Sequence, residues 1–148
     1  MIWRELRITY EARRSDLPAH LSTPSEAAEH ARLHIGTEAV ECILVLCCNT
    51  RHRLLAWHLL SRGTVNASLT HPRDVFKAAI LANASGVILA HNHPSGDPTP
   101  SPDDRALTWR LREAGTLLGI DLVDHVIIGD GARYFSFSES GLLERGIL

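Results

Sequence analysis

The stretch AHNHPSGDPTPSPDD (residues 90–104) begins at the end of a short apolar segment, VILAH (residues 87–91), and runs into a segment with the pattern of a helix. It contains two histidines, two serines and three aspartates among four prolines. Prolines limit the freedom of a loop, so they lower the entropic cost of holding polar side chains from two elements together. The stretch therefore predicts a strand, a stiff loop and a helix that converge on one polar site.

Outward from this stretch, hydrophobic periodicity predicts strands and helices that alternate along the chain. Strands are predicted over residues 5–12, 39–48, 53–61 and 87–91, with a hairpin over residues 121–137. Helices are predicted over residues 23–36, 71–86, 101–119 and, as a short last element, 138–146. Because the chain has no glycine fingerprint of a dinucleotide-binding fold, we expect an α/β (α+β layered) fold with a mixed central β-sheet flanked by helices.

Capping residues define the starts of two of these helices. Thr23 and Glu26 form a capping-box pattern around Pro24, and Ser101 and Asp104 occupy the corresponding N-cap and third positions of the helix that begins at Pro102. In the second helix, the apolar residues form one face and Gly86 is expected near the end. Those apolar residues are Val75, Phe76, Ala79 and Ile80.

Composition limits the class of protein. A chain of 148 residues with 45% hydrophobic content is expected to fold as one unit, and a net charge of −2 without a basic block does not favour duplex nucleic acid. Cys42, Cys47 and Cys48 are odd in number and clustered, which suits a reducing compartment better than a disulfide framework. No signal peptide or membrane-spanning run is seen, so we expect a soluble, cytoplasmic protein without a membrane partner.

Three residues of the opening stretch form a candidate metal site. Residues two apart on a strand point to the same side, so His91 and His93 direct two imidazoles at one point while Asn92 faces away. The helix that begins at Pro102 returns the Asp104 carboxylate toward them. Three protein ligands with a fourth position left for water are typical of catalytic zinc, although helix capping alone would also explain both Asp104 and Ser101.

A carboxylate elsewhere in the chain strengthens this interpretation. Glu41 lies at the start of a buried apolar strand, where an ionised side chain is costly unless a metal, a proton or a partner accommodates it. Glu38 is the alternative, but it precedes the apolar run and is more typical of a solvated loop. Cys47 lies six residues further along the strand than Glu41, too far to share its metal, and is interpreted as core.

Four further residues are secondary candidates. Ser95 and Gly96 are expected at the mouth of the loop, where a substrate backbone could pass. Asp124 and His125 lie on a predicted strand, where either could orient a metal-bound imidazole. The interpretation of His125 that the sequence favours is a core or edge histidine with its hydrogen bonds satisfied.

Taken together, these residues resemble a known family. His91 is followed two positions later by His93, then by Ser101 after seven intervening residues and by Asp104 after two more, with Glu41 upstream. This pattern resembles the JAMM (MPN+) metalloprotease motif. Within that superfamily, residues 38–143 are similar to the bacterial RadC family. The most similar segments are RGTVNASLTHPRDVFKAAILANASGVILAHNHPSGDPTPSPDD and DHVIIGDG.

The resemblance implies a cytidine-deaminase-like JAB/MPN architecture over residues 38–148, with residues 1–37 as an N-terminal strand and helix leading into it. It implies that His91, His93 and Asp104 bind zinc, that Glu41 is the general base and that Ser101 assists the oxyanion. It also implies hydrolysis of an amide or isopeptide bond in a protein or peptide substrate. Some RadC relatives carry a helix-hairpin-helix region, and residues 1–37 show no such pattern.

Two other function classes stay open at this point. The RadC resemblance implies a possible role in DNA repair or DNA processing, as a metal-dependent nuclease or accessory factor, but two histidines with one carboxylate suit zinc better than the oxygen-rich sites of most nucleases. A non-catalytic interaction module is the third class. Loss of a ligand would indicate it, and every motif position is filled.

Overall fold

The computed structural model describes residues 1–14, 16, 19–63 and 67–143. Within these residues the chain forms three α-helices, five strands and one 3-10 turn at Ala67–Leu69. The helices are α1 (Pro24–Ile35), α2 (Pro72–Leu81) and α3 (Pro102–Leu118). The strands are β1 (Cys42–Cys48), β2 (Leu54–Arg62), β3 (Gly86–Asn92), β4 (Asp121–Ile128) and β5 (Tyr134–Ser136).

The strands form one mixed sheet in the order β2-β1-β3-β4-β5. β3 and β4 run parallel, whereas the other neighbouring pairs are antiparallel. A parallel pair needs a long crossover connection, and α3 provides it. The fold is therefore α/β with a mixed sheet, as predicted, and is consistent with the JAB/MPN architecture.

β1 is buried on both faces, as its continuous apolar run predicts. Ile43, Val45 and Cys47 face a cluster that includes residues of α2 and α3. Leu44 and Leu46 alternate with them and face a second cluster, to which α1 contributes. Helices thus cover both faces of the sheet, and the two clusters form the core.

The predicted helix starts are confirmed. Thr23 and Glu26 form a capping box at the start of α1, and Ser101 and Asp104 form the same arrangement at α3. Gly119 ends α3 in the left-handed conformation, with a φ of 71°, which costs glycine little because it has no Cβ. These local signals place both helices to within one or two residues.

The strand predicted over residues 5–12 is wrong. These residues form no strand, and their apolar side chains, such as Leu6 and Ile8, are exposed. Alternation describes a half-buried surface, but a strand also needs a neighbour to complete its hydrogen bonds. Of the last helix, predicted over residues 138–146, residues 138–143 form turns or irregular structure, and residues 144–146 lie outside the described residues.

α2 also ends earlier than predicted. The helix stops at Leu81, and Asn83 with a φ of 53° turns the chain, so that Gly86 becomes the first residue of β3. Ile80 is 55% exposed and does not share the buried face of Val75 and Phe76.

The division of the chain at residues 37 and 38 stays a prediction. Among the described residues, none of the helices combines the length and apolar character needed to cross a bilayer.

Candidate metal centre

His91 and His93 meet at the end of β3, the strand between β1 and β4. His91 is buried in β3, opposite Ile43 of β1 and Ile127 of β4. His93 follows the last residue of the strand, and its Nε2 lies 3.1 Å from the Nε2 of His91. The spacing of two residues therefore brings both imidazoles to the same side, as the sequence predicts.

Asp104 reaches the two histidines from the first turn of α3. Its Oδ1 lies 3.2 Å from the Nε2 of His91, and its Oδ2 lies 3.3 Å from the Nε2 of His93. The same carboxylate accepts a hydrogen bond of 2.8 Å from the backbone N–H of Ser101, because it closes the capping box. Helix capping and participation in the cluster are thus compatible in one side chain.

Asp104 and His93 stabilise each other's charged forms. Burial would raise the pKa of the Asp104 carboxyl, but hydrogen bonds with His91 and His93 hold it far below its usual range. The hydrogen bond to Asp104 raises the pKa of His93, against the effect of burial. Asp104 is therefore an anion at neutral pH, which is the form that binds a cation.

Glu41 completes the cluster from the residue before β1. Its Oε1 lies 3.8 Å from the Nε2 of His91, and its side chain is 25% exposed. Asn92 fixes the backbone around it, because its Oδ1 accepts from the Cys42 N–H at 2.7 Å and its Nδ2 donates to the Val40 carbonyl at 3.0 Å. Glu38, the alternative carboxylate, instead accepts a hydrogen bond of 2.9 Å from Arg62.

The four side chains have the geometry of a metal site. One donor atom from each of Glu41, His91, His93 and Asp104 lies within 4.8 Å of the other three. Ligand atoms around a tetrahedral zinc ion, at bond lengths of about 2.0 Å, lie roughly 3.3 Å from one another. The separations among His91, His93 and Asp104, 3.1 to 3.3 Å, match this value, whereas Glu41 lies further away at 3.8 Å. The donor set thus fits three ligands and one outer carboxylate.

A cavity of about 300 Å³ opens beside the cluster. Ser95, Ser101 and Asp103 line this cavity, and the role of Ser95 and Gly96 toward a substrate stays a prediction. The Oγ of Ser101 accepts a hydrogen bond of 3.1 Å from the Asp104 N–H, so its own proton is free to point elsewhere.

The loop after β3 is held against the β4–β5 hairpin. Gly96 has a φ of 87°, and a Cβ at this position would come within 3.1 Å of Asp130. Its carbonyl accepts a hydrogen bond of 2.9 Å from the Asp130 N–H. The carbonyl of Asp97, the next residue, lies 2.8 Å from the Nδ1 of His93. When this Nδ1 donates to the carbonyl, the Nε2 of His93 presents a lone pair to the cluster.

His125 and Asp124 point in different directions. His125 is fully buried, its Nε2 lies 2.8 Å from the Nδ1 of His91, and burial together with the charge of His91 lowers its pKa well below the usual range. Asp124 instead accepts from the Ser136 hydroxyl at 2.6 Å and from the Ser138 N–H at 2.9 Å. Within the part of the chain that the structure describes, His125 contacts a side chain of the cluster, whereas the hydrogen bonds of Asp124 go to residues outside it.

Two residues that support the cluster have no strong signal in the sequence. Thr108 lies 2.7 Å from the Nδ1 of His125, and its only sequence signal is its position four residues after Asp104 on one helix face. Asn92 faces away from the two histidines, as predicted. Its side chain holds the backbone beside Glu41, and its only sequence signal is a polar residue in a buried strand.

Comparison with known proteins supports the family resemblance. The model of the family described as RadC-like JAB domain matches residues 21–142. A UPF0758 protein of Geotalea uraniireducens is 43% identical over 139 residues, which are 94% of this chain and 60% of that protein. A UPF0758 protein of Thermotoga maritima is 55% identical over 103 residues, 70% of this chain and 46% of that protein. The chain spans about half the length of these curated relatives.

Proposed function

Because the chain belongs to the family of RadC-like JAB domains, we propose that it is a zinc-dependent metallohydrolase that cleaves amide or isopeptide bonds in proteins or peptides. The observation that carries this proposal is the meeting of two imidazoles and two carboxylates beside an open cavity. Substrate, partners and activity are part of the proposal, since the relatives that the chain matches are longer than it is.

In this proposal His91, His93 and Asp104 hold the zinc ion. Two nitrogen donors and one carboxylate are a ligand set of catalytic zinc sites, which leave one position open. Zinc, when bound, acts as a Lewis acid and lowers the pKa of water toward about 7. The separations near 3.3 Å among the three donor groups support this assignment.

Glu41 is proposed as the general base. Its carboxylate lies next to the three donors but further out, at 3.8 Å from His91, where it can accept the proton of an attacking water. It would then deliver that proton to the leaving amine. Partial exposure to the cavity keeps the carboxylate within reach of both water and substrate.

Ser101 is proposed to stabilise the oxyanion that forms as the carbonyl is attacked. The serine lines the cavity, and its oxygen already accepts the Asp104 N–H, so the hydroxyl proton is available to donate. A donor fixed by a helix cap needs little reorganisation during the reaction, which is the basis of electrostatic stabilisation of this kind.

The charge of the cavity wall supports a peptide over a phosphodiester substrate. Asp103 adds a carboxylate to the cavity wall beyond those of the proposed zinc centre, and the chain has a net charge of −2 without a basic block. Such a surface repels the phosphates of a nucleic acid.

We also propose a cytoplasmic location, supported by three free cysteines, Cys42, Cys47 and Cys48.

A library of linear and isopeptide-linked peptides tests the proposed activity. The zinc-loaded protein should cleave a subset of the library, lose the activity on chelation and regain it with zinc. Glu41→Gln should reduce turnover by roughly 10² or more, because the amide cannot accept the proton. Glu38→Gln is the matched control, since Glu38 is paired with Arg62 outside the cluster. Equal cleavage by wild type and the Glu41 variant would contradict the assigned base.

A further inference from the structure

Three hydrogen bonds link two residues of the metal centre through the interior of the protein. The Nδ1 of His91 lies 2.8 Å from the Nε2 of His125, and the Nδ1 of His125 lies 2.7 Å from the Oγ1 of Thr108. The Thr108 hydroxyl donates to the backbone carbonyl of Asp104 at 2.8 Å. The chain therefore begins at one donor of the centre and ends at the backbone of another.

All four residues of this chain are buried. His125 and Thr108 have no exposed surface, and His91 and Asp104 are each 1% exposed. Phe137 stacks on the His125 ring with centroids 4.8 Å apart and planes 5° from parallel, so it fixes the plane of the imidazole. Hydrogen bonds without competing water are stronger, and an unpaired polar group at such a place is costly.

The direction of the hydrogen bonds follows from the donor that faces the cluster. The Nε2 of His91 points to His93 and Asp104, so a metal at this point leaves the proton of His91 on Nδ1. That proton makes the Nε2 of His125 an acceptor, and the proton of His125 must then lie on Nδ1 and be donated to Thr108. Each group in this series of hydrogen bonds therefore donates to the next one, from His91 through His125 and Thr108 to the Asp104 carbonyl.

We propose that His125 and Thr108 are positioning residues, which fix the tautomer and ring orientation of His91 and tie it to the first turn of α3 that carries Asp104. This inference rests on the proposed zinc site. What distinguishes His125 from a buried histidine with a purely structural role is its partner, because its Nε2 meets the nitrogen of His91 that faces away from the cluster, at 2.8 Å. The hydrogen bonds also cross from β3 through β4 to α3, so they connect the two elements that carry His91 and Asp104.

The first experiment uses the unmodified, zinc-loaded protein. Long-range ¹H–¹⁵N correlation spectra of the histidine rings report which nitrogen carries the proton. We expect both His91 and His125 as the Nδ1–H tautomer. A His125 ring with its proton on Nε2 would overturn the proposal, and this measurement does not depend on how well any variant folds.

The second experiment removes the hydroxyl. Thr108→Val keeps the shape of the side chain, and we expect its zinc affinity in chelator competition to fall by about 10-fold to 100-fold, the usual effect of losing a partner behind a ligand. Thr108→Ser should restore most of the affinity, and the visible spectrum of the cobalt-substituted protein should change in the valine variant and return in the serine variant. Thr116→Val is the matched control, because Thr116 makes the same bond to a carbonyl four residues earlier, at 2.9 Å, on an exposed part of α3.

The outcomes separate this inference from the proposed function. A wild-type protein that binds no zinc overturns both. A wild-type protein that binds zinc, with Thr108→Val equal to it in affinity and cobalt spectrum, overturns the positioning role and leaves the metallohydrolase proposal standing. An equal loss of affinity in Thr108→Val and Thr116→Val also overturns it, because the effect would then come from the helix and not from the hydrogen-bond chain.

Discussion

The side chain of Asn92 accepts a hydrogen bond of 2.7 Å from the backbone N–H of Cys42, across the boundary between β3 and β1. The same amide donates to the Val40 carbonyl at 3.0 Å, so it holds the chain on both sides of Glu41. A strand residue between the two histidines thus positions the proposed base from the opposite face of the sheet.

Asn92→Ala should reduce both the stability of the protein and its turnover. The Cys42 N–H loses a buried acceptor, so we expect the free energy of unfolding in urea to fall by about 1–3 kcal/mol. Turnover should fall as well, because Glu41 is no longer held, while His91 and His93 keep the zinc. Asn49→Ala is the control: Asn49 accepts from the Arg53 N–H at 3.0 Å in the β1–β2 turn. A variant of Asn92 that loses stability but keeps full turnover would contradict the positioning of Glu41.

Metal content is the most direct test of the centre. Protein purified without chelator should contain about one zinc ion per chain, because the folded protein holds the deprotonated ligands together in one site. The double variant His91→Ala, His93→Ala should lose most of it, as measured by mass spectrometry of the elements. His58→Ala, in the exposed strand β2, should leave it unchanged. Retention of zinc in the double variant would rule out the proposed ligands.

Glu41 and Asp104 are both carboxylates of the cluster, but their variants should behave differently. Glu41→Gln should keep the zinc and lose turnover by roughly 10² or more, since the amide has the shape of the base without its proton affinity. Asp104→Asn should lose both, because a neutral amide is a poor zinc ligand. If Glu41→Gln empties the centre as completely as Asp104→Asn, Glu41 is a ligand and the assignment of the base is wrong.

The thiols should be unreactive in the folded protein. Burial raises the pKa of Cys47 to about 12 and that of Cys48 to about 11, so at pH 8 almost no thiolate is present to react. Ellman's reagent should therefore react slowly with the native protein. After unfolding in urea it should detect three thiols per chain, the number of cysteines in the sequence. Rapid reaction of the native protein at pH 8 would show that β1 opens far more readily than a central buried strand should.

The sequence predicted the local features of the centre well, because they depend on short-range geometry. Alternation along β3 places His91 and His93 on one side, and the capping box places Asp104 in the first turn of α3. The structure brings these residues and Glu41 together, and their roles as ligands and base stay predictions. The strand predicted near Ile8 is wrong because, among the residues that the structure describes, no strand lies beside this segment to complete its hydrogen bonds.

Contacts between distant elements were harder to predict. Thr108 and His125 are 17 residues apart, and nothing local indicates that α3 and β4 bring their side chains to 2.7 Å. The exposure of Ile80 also follows from which elements cover α2, and not from the pattern of the helix itself. Sequence periodicity defines the faces of an element, whereas the partner of each face is decided by the fold.

The two apolar clusters that build the core lie on opposite faces of the sheet, and neither contains any of the four residues of the centre. Most of the stability of the domain therefore resides in side chains that take no part in the chemistry. A descendant of this chain could exchange His93 for another residue and still fold with its cavity and surfaces in place. Under the proposed function, such a copy would keep the cavity but lack one zinc ligand, so a single substitution would turn the proposed hydrolase into a protein without catalytic activity.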